Sequence, residues 1–327
     1  MEQENNIENT NWPNVKNVSS LGWVLFWSII CLIYAVFATI GYTHSYGWAL
    51  YIGVPLTIGF VIGFLRKPGA KLKFLTVLST VFLITLLIAL FLMIIKIEGA
   101  ICIVMIIVPL YVVIMMGYLL GLSIRRLPNM NRNACLLLLI NPALVAIDAN
   151  PNIYTQNIHS EVIINAPVKK VWQTLTHPVV YTLNANFFFK YSVNYPQLMY
   201  LTLHNDSTFL HCDLRNGKSD LWVSSIEPEK ILHFQMLQPI VPMKEISFYD
   251  SLNTAHTNAD YFKMHYGEFQ LVQQDATHTL LKANTQLSFK LAPSIYWKWW
   301  CSYLVNQMHL HVLDRIKSLS EAPAITI

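Results

Sequence analysis

Residues Ser294–Ser320, SIYWKWWCSYLVNQMHLHVLDRIKSLS, predict a long amphipathic helix near the C-terminus. Its apolar residues recur every three or four positions, which is the spacing of one face of an α-helix. They are Trp297, Cys301, Leu304, Met308, Val312, Ile316 and Leu319. Pro293 precedes the helix and Pro323 follows it, so the helix has about seven turns. A face of this kind needs a concave partner that buries it.

The segments before this helix alternate between apolar and polar residues, which is typical of β-strands. The predicted strands are Ile158–Asn165, Leu198–Leu203, Thr208–Leu214, Leu221–Ile226, Ile231–Leu237, Phe262–Gln273 and His278–Phe289. A short helix begins at Ala166-Pro167 and ends before Pro178. Residues 158–327 are therefore predicted to form an α+β domain, in which an antiparallel sheet wraps around the long helix.

The remainder of the chain is strongly apolar. The 327 residues are 54% hydrophobic and only 12% charged, with a mean hydropathy of +0.42. From Ile158 onward, 13 Lys and Arg residues are balanced by 13 Asp and Glu residues, so the net charge of +4 lies in the apolar part. This distribution indicates membrane topology signals and argues against a surface that binds nucleic acid.

Four uncharged apolar segments are each about as long as the roughly 20 residues that a helix needs to cross a bilayer. They are Leu21–Tyr42, Trp48–Leu65, Phe74–Ile95 and Gly99–Ile124. A fifth segment, Ala134–Ile147, is shorter and contains Asn141-Pro142, so it is either a thin or tilted span or an interfacial or re-entrant helix. Met1–Ser20 is predicted to be a disordered polar tail, and Asp148–Asn157 a linker.

Basic residues in the connections predict the orientation. They follow the second span, at Arg66, Lys67, Lys71 and Lys73, and the fourth, at Arg125, Arg126 and Arg132. The positive-inside rule then places the N-terminus and both connections in the cytoplasm. The C-terminal domain lies outside the cytoplasm if Ala134–Ile147 crosses the bilayer, and inside it otherwise.

The order of strand, short helix, antiparallel strands and long helix resembles the helix-grip fold of the START-like (SRPBCC) superfamily, which includes polyketide cyclases and lipid-transport proteins. The phrase EVIINAPVKKVWQTLTH, residues 161–177, is similar to the opening of that superfamily. The segments YFKMHYGEFQLV, APSIYWKWWCSYLVNQMHLHVLDRIKSLSE and EGAICIVMIIVPLYVVIMMGYLLG resemble uncharacterised bacterial membrane proteins that fuse several spans to such a domain. The resemblance implies a bacterial inner membrane, but no established reaction and no catalytic residue.

Three functions remain open. The first is a membrane-anchored domain that binds a lipid or another hydrophobic small molecule. The second is an enzyme of the cyclase or hydratase kind, in which Lys263 and His265 on one strand face transfer a proton. The third is a protein-interaction module with a filled core. A pocket of several hundred Å³ would favour the first two functions over the third.

The remaining polar residues point to ordinary structural roles. There is no nucleotide-binding loop and no metal-ligand spacing, so we expect no metal and no cofactor. His211 and Asp213 share a strand face, which is too few ligands for a metal site. His309 and His311 are two apart on a helix and are predicted to be surface or partly buried residues. The five cysteines are predicted to be isolated thiols, and the sequence gives no indication of the oligomeric state.

A ligand pocket is predicted between the sheet and the long helix. Its predicted wall and polar groups are Tyr261, His265, Tyr296, Trp300 and Tyr303. The long segment Gln238–Tyr261 has little periodicity, and a loop of that length is typical of a lid. Its apolar contacts are predicted to be Ile240, Val241, Met243, Phe248 and Tyr249.

Overall fold

The structure, a computed structural model, describes residues 16–38, 47–66, 74–94, 99–127, 130–150, 152–182, 186–204, 207–237, 242–244, 246 and 261–323. The chain divides into two compact units. One comprises Met1–Leu87 and Ile107–Asn150, and the other comprises Ile88–Ile106 and Pro151–Ile327. The predicted polar tail lies outside the described residues as far as Val15.

Helices make up the chain before the sheet. They are α1 (Lys16–Phe37), α2 (Val54–Leu65), α3 (Phe74–Ile94), α4 (Ala100–Arg126), α5 (Met130–Leu138) and α6 (Ile140–Asp148). A π-helical turn, Ala49–Gly53, leads into α2. Helix α5 continues into α6 across Leu139, whose amide still donates to the carbonyl of Cys135 at 3.0 Å.

Two helices among the described residues are long and apolar enough to cross a membrane, Leu75–Ile94 and Ala100–Arg126. The other apolar helices, Gly22–Phe37, Ala49–Leu65 and Asn133–Asp148, have 10–17 residues. Judged by helix length, fewer of the described helices can cross a membrane than the predicted four or five. The physical reasons are the π-helical turn before α2 and the short α5–α6 segment, while the end of the first predicted span, 39–42, lies outside the described residues.

The α5–α6 segment runs antiparallel to α2 along its whole length. Ala134 and Leu138 pack with Phe60 and Phe64 near the end of α2. Val145 packs instead with Ala49 at the start of the preceding turn.

Polar contacts fix both ends of the helix that consists of the π-helical turn and α2. The carboxylate of Asp148 accepts the backbone amides of Trp48 and Ala49, both at 2.8 Å. These amides belong to the first turn of the helix, where no intrahelical acceptor exists. At the other end, the Arg125 guanidinium donates to the carbonyls of Phe64 and Arg66.

The second unit is built on an eight-stranded sheet in which every described pairing is antiparallel. The strands are β1 (Tyr154–Ile164), β2 (Val179–Val180), β3 (Pro196–His204), β4 (Ser207–Leu214), β5 (Gly217–Glu227), β6 (Ile231–Met236), β7 (Phe262–Gln273) and β8 (Thr279–Phe289). Their order is β1-β8-β7-β6-β5-β4-β3-β2. Among its described residues the unit also contains α7 (Val168–Thr176), α8 (Phe187–Tyr191) and α9 (Ser294–Glu321), together with the segment Ile88–Ile106 from the end of α3 and the start of α4. The predicted helix-grip architecture is confirmed.

The first strand is longer than the sequence suggested. β1 begins at Tyr154, within the predicted linker, because its pairing with β8 continues to Tyr154 opposite Phe289. The two rings lie 5.9 Å apart, centroid to centroid. Aromatic cross-strand pairs of this kind stabilise a sheet.

The core of this unit lies under the C-terminal half of α9. Val312, Leu313 and Ile316 are at most 5% exposed and pack with Val171 and Leu175 of α7 and with the inner face of the sheet. Most of the predicted apolar face of α9 is therefore correct. Toward its N-terminus, however, Leu304 and Met308 are only partly buried, and Val305 and His309 are buried instead.

Close glycine contacts between α2 and α4 give a first prediction. A methyl group at Gly117 would overlap the carbonyl of Leu56, and one at Gly59 would overlap that of Ile114. We expect Gly117→Ala to destabilise the helical unit by about 1–3 kcal/mol, since the backbones would have to separate. Thermal unfolding of the purified full-length protein measures this. Gly22→Ala is the matched control, because nothing lies within 4 Å of a methyl group there. Equal melting temperatures for the two variants would contradict the close packing.

Candidate functional site

A cavity of about 500 Å³ lies between the inner face of the sheet and the first half of α9. Helix α9 contributes Trp297, Trp300, Cys301, Leu304, Val305, Met308, His309 and Val312 to its wall. The sheet contributes, among others, Met199, Cys212, Leu221, Phe234, Phe269, Ala283, Thr285 and Leu287. Because α9 packs tightly only beyond His309, the space beside its first turns stays open and almost entirely apolar.

One part of the wall comes from the start of α4, which belongs to the same compact unit. Cys102 and Met105 line the cavity. The amide of Ala100, at the beginning of α4, donates to the carbonyl of Ile246 at 2.8 Å. This bond supplies an acceptor to a helix end that has none of its own.

A proline explains a second contact of α4. Pro109 has no amide hydrogen, so the carbonyl of Met105, four residues earlier, loses its helical donor. The hydroxyl of Tyr296 on α9 donates to that carbonyl. A buried carbonyl without a partner is costly, so this contact compensates for the proline.

The described part of the long loop forms an edge of the cavity. Met243 lines it and forms an isolated β-bridge with Val193. Two backbone bonds flank the bridge: the amide of Asn194 donates to Pro242 at 3.0 Å, and that of Lys244 donates to Ser192 at 3.1 Å. The chain from Pro242 to Lys244 is thus held against the segment that follows α8.

One polar feature of the wall is a chain of hydrogen bonds centred on His309, which is only 5% exposed. Its Nδ1 lies 3.0 Å from the hydroxyl oxygen of Ser160, and its Nε2 lies 2.8 Å from that of Thr285. The Ser160 hydroxyl donates to the side-chain oxygen of Asn306 at 2.7 Å. We call these four residues the His309 relay.

The hydroxyl protons determine which atom donates in each hydrogen bond of the relay. Ser160 has one proton and gives it to Asn306, so Nδ1 of His309 must donate to Ser160. Nε2 of the neutral ring is then the acceptor, and Thr285 donates to it. Thr285 lines the cavity, and a hydroxyl that donates can still accept, so the relay offers a hydrogen-bond acceptor at the cavity wall.

Burial favours the neutral form of three ionisable groups in this wall. Desolvation, assisted by the charge of His159, lowers the pKa of His309 from its ordinary 6.5 to about 4. Desolvation also raises the pKa of Cys301 to about 12. The pKa of Cys212 rises to about 12 as well, because of burial and then of the nearby Asp220 and Asp213.

The five predicted pocket residues are placed differently from one another. Trp300 lines the cavity, whereas Tyr261, His265, Tyr296 and Tyr303 are not part of its described lining. The Tyr303 hydroxyl accepts from Asn186 at 3.2 Å, and His265 Nε2 lies 2.8 Å from the hydroxyl of Ser288.

Of the predicted lid residues, Met243 lines the cavity. Ile240, Val241, Phe248 and Tyr249 lie outside the described residues. The predicted role of Gln238–Tyr261 as a lid therefore stays a prediction.

Of two further polar clusters, the one around Lys263 and Glu268 borders the cavity, and the one around His211 lies away from it. Lys263 is exposed, and Glu268 stands opposite His233 across the β6–β7 pair. His211 contacts the carboxylates of Asp213 and Asp220 on the outer face of β4 and β5. The described residues contain no group of three or more side chains suited to hold a metal ion.

Sequence reasoning missed the His309 relay. His309 was predicted to be at the surface or partly buried, but the structure buries it. The sequence pattern that could have indicated its burial is the series Trp297, Cys301, Val305 and His309, spaced by four residues. Leu304 and Met308 fit the helical period equally well, so the pattern alone does not show which face is buried. Its partners on β1 and β8 lie more than 20 residues away in sequence, so pairing them needs the sheet register.

The pKa of His309 gives a second prediction. Its folded pKa is below the unfolded value, so the unfolded chain binds the proton more readily, and stability falls as the pH drops from about 6.5 toward 4. Between pH 7 and pH 5 we expect His309 to account for a loss of about 2 kcal/mol.

Thermal unfolding of the full-length protein at both pH values tests this. His309→Gln should remove that part of the pH dependence, while His204→Gln, at an exposed position on β3, should keep it. The same pH dependence in wild type and His309→Gln would contradict a buried neutral imidazole.

No protein-family model and no curated protein matches the sequence. Among solved structures, the chain is similar to an aromatase/cyclase, Zhui, from Streptomyces sp. R1128, with 13% identity over 51% of this chain and 94% of that one and a TM-score of 0.31. Truncated norcoclaurine synthase from Thalictrum flavum matches with 13% identity over 53% and 98% and a TM-score of 0.32. A conserved protein of unknown function from Enterococcus faecalis matches with 15% identity over 51% and 82% and a TM-score of 0.26. At these values the likenesses assign no activity, and the helix-grip description rests on the strand order and on α9.

Proposed function

We propose that this chain is a membrane-anchored protein whose START-like helix-grip domain binds an uncharged hydrophobic molecule, such as a lipid, between its sheet and α9. The observation that carries the proposal is the cavity itself. Its volume of about 500 Å³ falls within the roughly 300–1,000 Å³ of small-molecule sites. A space of this size with apolar walls supports ligand binding over a partner-docking role for a filled core.

The chemistry of the wall favours an uncharged ligand. The buried ionisable groups, His309, Cys212 and Cys301, are neutral at physiological pH. A buried carboxylate or ammonium would have no opposite charge among them and would bear a large desolvation cost. Lys263 and Glu268 also border the cavity, but neither is buried.

The His309 relay favours a ligand with one hydrogen-bond donor. The acceptor lone pairs of Thr285 would accept a hydroxyl from an otherwise apolar molecule, such as a long-chain alcohol or an acylglycerol. The cyclase or hydratase alternative would use Lys263 and His265 as a proton-transfer pair. Because His265 is engaged by Ser288 and lies outside the described lining, the geometry supports binding over that reaction.

The helical unit supports a topology with a fifth crossing. Arg66 and Arg125 meet at one end of α2, and Asp148 caps its other end. The α5–α6 segment therefore covers the same span as α2 in the opposite direction. With the basic end in the cytoplasm, residue 148 lies on the other side of a bacterial inner membrane. The C-terminal domain, which follows residue 148, then lies outside the cytoplasm.

The grouping of Ile88–Ile106 with the domain agrees with this orientation. The start of α4, Ala100–Ile106, lies at the opposite end of the helix from Arg125, and hence on the same side of the membrane as the domain. Spans one, two and five would be short, which a tilted or locally thinned bilayer accommodates.

Filling the cavity should abolish binding. Leu304 is a partly buried part of the wall, so Leu304→Trp adds volume where a ligand would lie. We expect at least a tenfold loss of affinity for a fluorescent long-chain alcohol, or about 1.4 kcal/mol, in titrations of the detergent-purified full-length protein. Leu203→Trp, at a residue 75% exposed on β3, is the control and should bind like wild type. Equal binding by both variants, or none by wild type, would remove the ligand-binding proposal.

Reporter fusions test the topology. A fluorescent protein that matures only in the cytoplasm should be dark when fused after Ile327 and bright when fused after Leu127, which follows α4. A periplasmic phosphatase should give the reverse pattern. A bright fluorescent fusion at Ile327 would mean that α5–α6 does not cross the bilayer.

A further inference from the structure

The α8–α9 surface is an exposed apolar patch beside the cavity, which we define as Phe187, Tyr191, Ile295 and Trp299. These side chains are 50%, 45%, 85% and 59% exposed, respectively. Exposure of this kind in large apolar side chains marks a contact surface when the residues are contiguous.

Ring contacts make the patch continuous across the two helices. Phe187 packs on Tyr191 at 5.2 Å, and Trp299 stacks on Tyr303 at 5.9 Å with an interplanar angle of 9°. Phe188 joins the two helices, because its ring lies 5.2 Å from Trp300 and 6.3 Å from Tyr303. The exposed rings of Phe187, Tyr191 and Trp299 therefore belong to one connected aromatic cluster.

The charge of the patch is suited to a lipid surface. Neither α8 nor the first ten residues of α9 contain Asp or Glu, while exposed Lys190 and Lys298 flank the rings. The Lys190 ammonium lies 5.3 Å from the centre of the Tyr191 ring. Trp and Tyr rings with flanking Lys are the residues that concentrate at the boundary between headgroups and water, and Lys is attracted to anionic lipids.

The position of the patch relates it to a helix that can cross a membrane. Tyr296, next to Ile295, donates to the carbonyl of Met105 in α4. Helix α4 has 27 residues, whereas about 20 suffice to span the hydrocarbon core. The surplus corresponds to its first seven residues, Ala100–Ile106, which belong to the compact unit of the sheet. Five of these seven residues are at most 8% exposed.

We propose that the α8–α9 surface lies in the headgroup region of the membrane that α4 crosses, and that ligand passes directly between this lipid surface and the cavity. The cavity wall beside the patch, formed by Trp297, Trp300 and Met105, then faces the bilayer. The proposal rests on the membrane anchoring proposed above, and it adds the face by which the domain contacts lipid.

Lipid-borne quenching tests this contact in the full-length protein. The protein is placed in nanodiscs of phosphatidylcholine and phosphatidylglycerol, with its native cysteines replaced and one fluorophore attached through Trp299→Cys. A nitroxide on the lipid headgroup should quench this probe about threefold more than a probe at Leu203→Cys, which is exposed on β3. Equal quenching at the two positions would overturn the proposal. Shielding of the probe at position 299 from both the nitroxide lipid and an aqueous quencher would also overturn the proposal. In that case a second copy of the chain or another protein would cover the patch.

Ligand exchange separates this inference from the binding proposal. Ile295→Glu with Trp299→Glu should slow the uptake of a fluorescent long-chain alcohol from donor vesicles several-fold without changing its affinity, since neither residue lines the cavity. Unchanged uptake would overturn the direct transfer. If wild type fails to bind the alcohol although its 299 probe is quenched, the ligand-binding proposal fails and the membrane contact stands.

Discussion

Burial of the inner face of α9 against the curled sheet is the interaction on which the second unit depends. The contact is uneven along the helix. Its C-terminal half supplies Val312, Leu313 and Ile316 to a filled core, which stabilises the fold. Its N-terminal half carries larger rings, Trp297 and Trp300, and stands over a space that the sheet does not fill. One helix thus provides both the stabilising core and the open cavity, and His309 lies near the transition.

Burying a histidine at that transition constrains the neighbouring residues. An imidazole without partners would destabilise the domain, so both ring nitrogens are hydrogen-bonded, to Ser160 and to Thr285. Satisfying them with hydroxyl groups rather than carboxylates leaves this part of the wall uncharged. The relay ties α9 to β1 and β8 and places one polar residue, Thr285, in the cavity wall.

The sequence predicts the elements of the second unit well, because its hydrophobic pattern has a clear period. β7 has the same limits as predicted, and α9 ends one residue later than predicted, at Glu321. The hydrophobic pattern does not show which side of the first half of α9 is buried. Leu304 and Met308 satisfy the helical period as well as Val305 and His309 do, and only packing against the sheet distinguishes the two faces. The start of β1 at Tyr154 likewise depends on its partner strand, and that part of the sequence is polar.

The residues of the site were harder to predict from the sequence than the fold, because they too depend on how the packed elements meet. Trp300 could be predicted as a wall residue from its place on α9. The contribution of Cys102 and Met105 could not, because nothing in an apolar span distinguishes residues that contact lipid from residues that line a cavity. Among the described residues two helices, rather than the predicted four or five, have the length of a span, since composition reports apolar length but not the π-helical turn at Ala49–Gly53 or the brevity of α5–α6.

Pro109 has a mechanical consequence for this arrangement. It removes the hydrogen bond that would stiffen α4 just beyond the residues that line the cavity, and the carbonyl of Met105 is bonded to Tyr296 instead. A helix bends most easily where its ladder of hydrogen bonds is interrupted. Helix α4 can therefore bend near Pro109, beyond the segment Ala100–Ile106 that belongs to the unit of the sheet. A bend at that position leaves Cys102 and Met105 in the cavity wall.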